Sequence, residues 1–222
     1  MSFDRLAPYY TWMEILLAGN RLQYCRTAWL NQLAACNDIL IAGVGHGHFL
    51  AACAKRFPLA RITCVDASAV MLRHARRRAV DAGARPDQLE FVHASLPAWS
   101  PPSQAFDGIV THFFLDCFEP QELVGVVRSL ANSARANAVW LLSDFAIPSR
   151  GLARHRARAV HALMYAFFRR LADIRARSVT DPDPLLTAAG FRLIGRKSAE
   201  WGLLRADRWE YNLNESHGSS RN

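Results

Sequence analysis

The sequence lacks a long hydrophobic run and any pair of closely spaced cysteines. None of its apolar runs reaches the ~18 residues of a membrane-spanning helix. The opening "MSFDRLAPYY" has an early acid and no apolar segment of the kind found in signal peptides. Its five cysteines are scattered and never follow a CxxC pattern. We therefore expect reduced, mostly buried thiols, no metal site and a cytoplasmic location.

Acidic residues are in the minority, because 27 Lys and Arg face 19 Asp and Glu and give a net charge of +8. This excess is compatible with nucleic acid, a membrane surface or an anionic substrate. Nucleic acid is the least favoured of the three, since no run interleaves basic and aromatic residues. The 222 residues fit one large domain, or one domain with an added lid.

Short apolar runs alternate with helical patterns over the first two thirds of the chain. The predicted strands are 38–43, 61–66, 88–93, 106–112 and 137–145, and the predicted helices lie near 47–57, 68–82 and 120–134. Such alternation is typical of βαβ units, in which helices cover both faces of a parallel sheet. A short helix ending at Gly190 then precedes two strand-like runs, "FRLIGRKS" and "LLRADRWEY", around a turn at Trp201-Gly202. So short a connection predicts an antiparallel hairpin.

Three glycines at alternating positions, Gly43, Gly45 and Gly47, follow the first predicted strand. Glycine permits positive φ and close approach of a ligand to the backbone. The sixth position of the pattern is His48, so this is not the G-x-G-x-x-G of dinucleotide-binding domains. Asp66 ends the second strand and could accept hydrogen bonds from both hydroxyls of a ribose. Alternatively, the glycines serve only packing, and Asp66 or Ser68 caps the next helix.

These features together resemble the class I S-adenosylmethionine-dependent methyltransferases over roughly residues 3 to 211. "ILIAGVGHG" is similar to motif I, "ITCVDASAVML" to the second-strand motif, "LEFVHASL" to the third-strand motif, "FDGIVTHFFLDCF" to motif IV and "AAGFRLI" to the segment before strand six. "FDRLAPYY" and "LLSDFAIP" more loosely resemble segments of the ubiquinone and menaquinone C-methyltransferases.

The resemblance implies an α/β, Rossmann-like fold with a mostly parallel seven-stranded sheet, a C-terminal antiparallel hairpin and an N-terminal helical cap. The implied boundaries are 1–36 for the cap, 37–213 for the methyltransferase domain with an Arg-rich helical lid at 149–178, and 214–222 for a disordered tail. It also implies S-adenosylmethionine as cofactor and S-adenosylhomocysteine as product. The implied cofactor-binding residues are Tyr10, Gly43, Val44, Gly45, Gly47, Asp66, Ala67, Met71, Ser95, Leu96 and Thr111.

Two positions depart from the family pattern. Ile41 stands where motif I normally has an acid, and Ser95 stands where the third-strand motif normally has an Asp that meets the adenine. A serine hydroxyl accepts a hydrogen bond more weakly than a carboxylate does. These departures leave open a fold that binds an adenosine ligand without catalysis, as a sensor or an assembly partner.

The catalytic prediction rests on His112 and Asp116 in motif IV. A histidine near its ordinary pKa could take a proton from a phenol-like acceptor, and a nearby carboxylate could orient it. The alternative is that Asp116 caps the helix starting near Pro120 and His112 bonds a backbone carbonyl. Cys117 is predicted to be a small core residue. His46 and His48 have no third metal ligand nearby, so they are not predicted to form a metal site.

Aromatic residues predict an aromatic or isoprenoid-like acceptor, with quinone-type molecules included. The predicted pocket residues are Trp12, Phe113, Phe114, Phe118, Tyr165 and Phe168. The segment 150–178 holds eight arginines and one aspartate. It is either a structural amphipathic helix with a solvated basic face, or a lid that also contacts an anionic membrane surface. A nicotinamide oxidoreductase is the remaining alternative.

Overall fold

The computed structural model describes residues 20–146 and 180–212. Within these ranges the helices are α1 (Asn20–Thr27), α2 (His48–Arg56), α3 (Ala69–Asp81), α4 (Pro120–Asn132) and α5 (Asp183–Ala188). The strands are β1 (Asp38–Ala42), β2 (Arg61–Asp66), β3 (Leu89–His93), β4 (Phe106–His112), β5 (Ala134–Phe145), β6 (Phe191–Ala199) and β7 (Leu204–Tyr211). Short 3₁₀ turns occupy Leu30–Leu33, Pro86–Gln88, Leu115–Cys117 and Glu200–Gly202.

The strands form one seven-stranded sheet in the order β3-β2-β1-β4-β5-β7-β6. β1 to β5 run parallel, and β7 pairs antiparallel with both β5 and β6. The predicted fold class and terminal hairpin are therefore confirmed. β5 begins at Ala134, three residues before the predicted strand, because Ala134 pairs with Phe106. The polar residues Arg135 and Asn137 interrupt the apolar pattern there, so the sequence did not predict this extension.

Alternation along β1 explains how the sheet is covered on both faces. Ile39 and Ile41 pack in a cluster with residues of α2 and α3. Leu40 and Ala42, which point the other way, pack in a cluster with residues of α4, α5 and β7. All four of these strand residues are buried, so β1 is the centre of the core.

One edge of the sheet holds the ends of four parallel strands and the start of β7. β1, β2, β4 and β5 are parallel and end at the same edge, at Ala42, Asp66, His112 and Phe145. β7 begins there, because Leu204 pairs with Phe145. In open α/β sheets this carboxyl edge is where ligands bind.

The cysteines of the described residues are free thiols, as predicted. Burial raises the pKa of Cys36 and of Cys53 to about 12, and burial likewise raises the pKa of Cys117 well above its usual range. All three side chains thus stay protonated and unreactive near neutral pH. No helix among residues 20–146 and 180–212 has the length and apolar character that crossing a membrane requires.

Candidate active site

The loop between β1 and α2 adopts a backbone that suits glycine. Gly43, Gly45 and Gly47 have φ values of +73°, +52° and +78°. Gly47 is also the N-terminal cap of α2, in a left-handed conformation. A residue with a Cβ atom adopts these angles only at a cost, so the loop depends on all three glycines.

Two of the three glycines are also required by close packing. A Cβ atom on Gly43 would lie 2.3 Å from Cδ2 of Phe114, and one on Gly47 would lie 2.5 Å from Cα of Ala75. A Cβ atom on Gly45 would meet no atom within 4 Å. Packing therefore explains Gly43 and Gly47 in part, whereas the open side of the loop lies at Gly45.

The Asp66 carboxylate holds this loop from the end of β2. It accepts hydrogen bonds from the amide of Gly45 at 3.0 Å and from the amide of Ser68 at 2.9 Å. Ser68 caps α3, since its Oγ accepts the amide hydrogen of Met71 at 3.2 Å. Asp66 is therefore not the side-chain cap of α3. These two hydrogen bonds place the carboxylate beside the glycine loop, at the end of β2.

Other predicted cofactor residues follow β2 and β3 in the chain, at the same edge of the sheet. The Ala67 carbonyl oxygen lies 3.1 Å from Nε2 of His93, within hydrogen-bond distance. Met71 and Leu96 are buried, with 7% and 5% of their surface exposed. Ser95 is exposed, and its hydroxyl donates to the carbonyl of Leu96 at 3.3 Å. The Ser95 side chain thus lies at the carboxyl edge, after β3, where a ligand could reach it.

Two residues of the central strands belong to the core instead. The Thr111 hydroxyl accepts a hydrogen bond from Trp140 Nε1 at 2.9 Å, and Thr111 is 1% exposed. The Thr111 hydroxyl is thus used within the core beside α4 and α5, and its role toward the cofactor stays a prediction. Ile41, the departure from motif I, is 3% exposed among residues of α2 and α3, where a carboxylate would be buried in apolar surroundings. Val44, by contrast, lies in the glycine loop and is 8% exposed.

His112 ends β4 in an apolar setting. Its imidazole packs edge-on against Phe49, with ring centroids 4.5 Å apart. Its Nδ1 is buried and has no hydrogen-bond partner among the described residues. Burial, and then the charge of Arg26, lower the pKa of His112 to about 3. The imidazole is therefore neutral near physiological pH.

Asp116 pairs with Asp144 rather than orienting His112. Asp116 lies in the 3₁₀ turn after β4, Asp144 lies near the end of β5, and their carboxyl groups hydrogen-bond each other. The thiol of Cys117 lies 3.6 Å from Asp116 Oδ1. Burial raises the pKa of Asp116 to about 6 and that of Asp144 well above its usual range, which favours one protonated carboxyl group in this pair.

The expected arrangement in motif IV is thus corrected in both of its forms. The described residues hold no hydrogen bond between Asp116 and His112, because Nδ1 has no partner and the carboxyl group bonds elsewhere. Nor does Asp116 cap α4, whose N-terminal cap is Glu119 without a side-chain hydrogen bond. Asp144 was not predicted as a site residue, although an acid ending a buried strand, as in "LLSDF", is the signal that could have identified it.

Two of the predicted pocket aromatics lie at the edge and one lies beneath it. Phe114 and Phe118 are half-buried, with rings 5.0 Å apart in an edge-on arrangement. Phe113 is 8% exposed, packs against Phe145 at 5.3 Å, and has the guanidinium of Arg26 over its ring at 5.2 Å. Phe113 is therefore packed beneath the carboxyl edge of the sheet, and its ring does not face an open pocket.

Several predictions lie outside the described residues. They concern the cap tyrosine, one pocket tryptophan, two pocket aromatics and the Arg-rich segment, namely Tyr10, Trp12, Tyr165, Phe168 and residues 149–178. Within the described ranges, no group of three or more His, Cys, Asp or Glu side chains could hold a metal ion.

Comparisons with known proteins agree with this geometry. A family model described as a methyltransferase domain matches residues 39–137. A trans-aconitate 2-methyltransferase of Paracidovorax citrulli is 41% identical over 76 residues, which cover 34% of this chain and 26% of that protein. The match thus spans about a quarter of the length of this curated relative.

Solved structures extend the similarity to the whole fold. The 1,6-didemethyltoxoflavin-N1-methyltransferase of Burkholderia thailandensis, solved with S-adenosylhomocysteine, has a TM-score of 0.66 at 17% identity and covers 94% of this chain and 86% of that one. Magnesium protoporphyrin IX methyltransferase of Synechocystis PCC 6803 has a TM-score of 0.62 at 20% identity, covering 86% and 84%. The sheet order and the solved structures together show a fold like that of class I S-adenosylmethionine-dependent methyltransferases, and the methyltransferase-domain model matches its first half, residues 39–137.

Proposed function

We propose that this protein transfers the methyl group of S-adenosylmethionine to a small-molecule acceptor. The observation that carries the proposal is the unit formed by Gly45 and Asp66. The Gly45 amide donates to the Asp66 carboxylate at 3.0 Å, and the outer side of Gly45 is open. A nucleoside ligand placed there would contact the backbone of the glycine loop on one side and the Asp66 carboxylate, a hydrogen-bond acceptor, on the other.

The residues of the site fit the cofactor in their chemistry. The cofactor, when bound, supplies a methyl group already activated by the sulfonium. The protein's task is then to align the acceptor with that methyl group and to exclude water. Gly43, Val44 and Gly45 would hold one end of the ligand, Asp66 the ribose, and Ser95 with Leu96 the base.

The acceptor is proposed to be aromatic or lipid-like, with quinone-type molecules included. Phe114 and Phe118 support this class, because their half-buried rings meet edge-on beside the glycine loop. The looser likeness of the N-terminus and of "LLSDFAIP" to quinone C-methyltransferases points the same way. A non-catalytic ligand sensor remains the second candidate, and its only support is the absence of the family acids at Ile41 and Ser95.

His112 is proposed to contact the acceptor as a neutral base. Its Nδ1 is a buried polar atom that lacks a partner among the described residues, and such atoms normally find one. A pKa near 3 makes the imidazole a weak proton acceptor in the ligand-free site. Accepting a hydrogen bond from an acceptor hydroxyl fits it better than holding a free proton.

Calorimetric titration with S-adenosylmethionine, S-adenosylhomocysteine and NADH tests the cofactor. We expect binding of the first two and none of NADH, whereas NADH binding would support an oxidoreductase. Turnover is then measured as transfer of a labelled methyl group to candidate acceptors, including any ligand that co-purifies and is identified by mass spectrometry. Tight cofactor binding without transfer to any acceptor would favour the sensor.

A peripheral contact with an anionic membrane is proposed for the Arg-rich segment, which lies outside the described residues. Reversing the charges of Arg154, Arg158 and Arg169 together should reduce binding to anionic liposomes and leave cofactor affinity unchanged. A parent protein that does not bind such liposomes even at low salt would favour the plain structural role of this segment.

A further inference from the structure

Helix α1 is fixed to the carboxyl edge of the sheet beside His112. The buried Ser143 hydroxyl donates to the carbonyl of Cys25 at 2.9 Å. Ser143 in β5 is the register partner of His112 in β4, so the last turn of α1 lies next to the end of this strand pair. Leu22 and Cys25 are also buried in one apolar cluster with Phe113. Tertiary contacts therefore set the position of α1, which is too short to be stable by itself.

Arg26, the residue after Cys25, places a positive charge at this edge. Its guanidinium carbon lies 5.2 Å from the ring centroid of Phe113, which directly follows His112. Such a contact orients a guanidinium through its charge and does not occupy its N–H donors. The Arg26 side chain is half-buried. After burial, the charge of Arg26 is the second cause that lowers the pKa of His112, so the guanidinium lies within electrostatic reach of the imidazole.

His112 in turn lies beside the start of the glycine loop. Thr111 in β4 is the register partner of Ala42 in β1. The next residues along these parallel strands, His112 and Gly43, therefore lie side by side at the edge. The imidazole also packs edge-on against Phe49 of α2, the helix that begins directly after the loop. The guanidinium thus lies on the β4 side of the glycine loop.

The order of the strands gives the direction of a bound ligand. The proposed contacts put the base at Ser95, after β3, and the ribose at Asp66, which ends β2. In the order β3-β2-β1-β4, the remaining end of the ligand points past the glycine loop toward β4. That end of S-adenosylmethionine is its amino acid, which carries a carboxylate. Neighbouring strands lie about 4.8 Å apart, so this end has about two strand spacings to cross from Asp66 to the side of His112.

We propose that Arg26 binds the carboxylate at the amino-acid end of the cofactor. This inference rests on the proposed function and assigns a part of the ligand that the sequence motifs leave open, because none of the cofactor-binding residues predicted from the sequence is a cation. A guanidinium can bind a carboxylate through two parallel N–H···O bonds, and such charge-assisted bonds are stronger than neutral ones. Holding this end also restricts the neighbouring sulfonium, so Arg26 is a binding and positioning residue.

The test compares three ligands in calorimetric titrations of the full chain: S-adenosylhomocysteine, its decarboxylated analogue and 5′-methylthioadenosine, which lacks the whole amino acid. Arg26→Gln should weaken binding of S-adenosylhomocysteine roughly ten- to hundredfold, the range for hydrogen bonds to a charged group. The other two affinities should change by less than about twofold, because neither ligand carries the carboxylate. Arg26→Lys keeps the charge but not the paired donors, so it should lose less than Arg26→Gln.

Two further variants separate this effect from a general change in charge or in the site. Arg128→Gln removes the same charge from an exposed position of α4, which packs on the other face of the sheet. It should leave all three affinities unchanged. Asp66→Ala should weaken all three ligands alike, because each contains the ribose.

A parent protein that does not bind S-adenosylhomocysteine would defeat the proposed function itself. If the parent binds it, and Arg26→Gln binds it as tightly or weakens all three ligands alike, the assignment of Arg26 is wrong. Equal affinity of the parent for S-adenosylhomocysteine and its decarboxylated analogue would overturn the assignment without any variant. Unchanged cofactor affinity with loss of methyl transfer in Arg26→Gln would overturn it in favour of a contact with the acceptor.

Discussion

The ring of Phe114 lies directly against the backbone of Gly43. A Cβ atom on Gly43 would be 2.3 Å from Cδ2 and 2.8 Å from Cγ of Phe114. The turn after β4 and the loop after β1 are therefore in contact here, with no room for a side chain at Gly43. This contact joins the glycine loop to the turn after β4.

Gly43→Ala should destabilise the protein by about 2–4 kcal/mol, because overpacking adds to the cost of its positive φ. Phe114→Ala removes the obstructing ring, so the double variant should lose at least about 1 kcal/mol less than the sum of the two single variants. Urea denaturation measures all three. Gly45→Ala, which meets no neighbouring atom, should lose only about 1–2 kcal/mol. Additive losses would mean that the ring does not rest on this glycine.

Asp66→Ala should weaken S-adenosylmethionine binding by about 1.5–3 kcal/mol, or roughly ten- to hundredfold, the range for hydrogen bonds to a charged group. Calorimetric titration measures the change. Asp87→Ala is the control, since Asp87 is an exposed acid paired with Arg85 on the surface. The loop amides of Gly45 and Ser68 also lose their acceptor, so a lower melting temperature should accompany the weaker binding. Unchanged affinity in Asp66→Ala would contradict the ribose assignment.

Ser95→Asp should tighten cofactor binding, because a carboxylate accepts a hydrogen bond from an amino group more strongly than a hydroxyl does. The Ser95 side chain is exposed at the carboxyl edge, so the added charge need not be buried. The gain should appear for S-adenosylmethionine and S-adenosylhomocysteine alike, since both carry the same base. A loss of affinity would show that the third-strand alignment places Ser95 away from the adenine.

His112 should make the protein less stable as the pH falls. Its pKa is lowered to about 3 in the folded state by burial and by Arg26, while it is near 6.5 in the unfolded chain. The unfolded state therefore binds the proton first, and the stability present above pH 6.5 is lost progressively down to about pH 3. His112→Gln, which does not titrate, should show a smaller loss between pH 7 and pH 4.5 in urea denaturation. Equal losses in the parent and the variant would contradict a half-buried His112 that stays neutral in the folded state.

Turnover tests the chemical role of the same residue. His112→Ala should reduce methyl transfer by about tenfold, because the acceptor hydroxyl loses the hydrogen bond that the neutral imidazole accepts, while cofactor affinity stays within about twofold. The comparison uses whichever acceptor the parent methylates. Normal turnover in this variant would leave alignment of the acceptor to carry the catalysis.

Asp116, in contrast to His112, should make the protein less stable as the pH rises. Burial raises its pKa to about 6, above the value near 3.9 of an unfolded chain. Its contribution to stability is full below pH 3.9 and is lost as the pH rises through 6. Asp116→Asn keeps the shape and still offers a hydrogen bond to Asp144, so it should gain on the order of 2 kcal/mol relative to the parent between pH 4.5 and pH 8. The same stability difference at both pH values would argue against a protonated carboxyl group in this pair, and Asp87→Asn provides the surface control.

The order and type of the elements could be predicted because they depend on local patterns. β2 and β4 begin and end at the predicted residues, and α2 and α3 lie within one or two residues of their predicted bounds. Pro120 marks the start of α4, and Gly190 follows the last turn of α5 with a φ of +89°. Such signals act over a few residues of chain, so the sequence alone carries them.

The sequence by itself also determined the glycine loop and the acid that holds it, since Gly45 and Asp66 follow successive strands of a parallel sheet that must end at one edge. What only the tertiary structure decided is how side chains from distant strands meet. Asp116 meets Asp144, 28 positions away, and Thr111 meets Trp140. Whether a strand residue faces the core, the ligand or a second acid depends on the neighbouring strand and on its register. Those contacts form only when the sheet is assembled, because cross-strand neighbours are set by pairing and not by spacing along the chain.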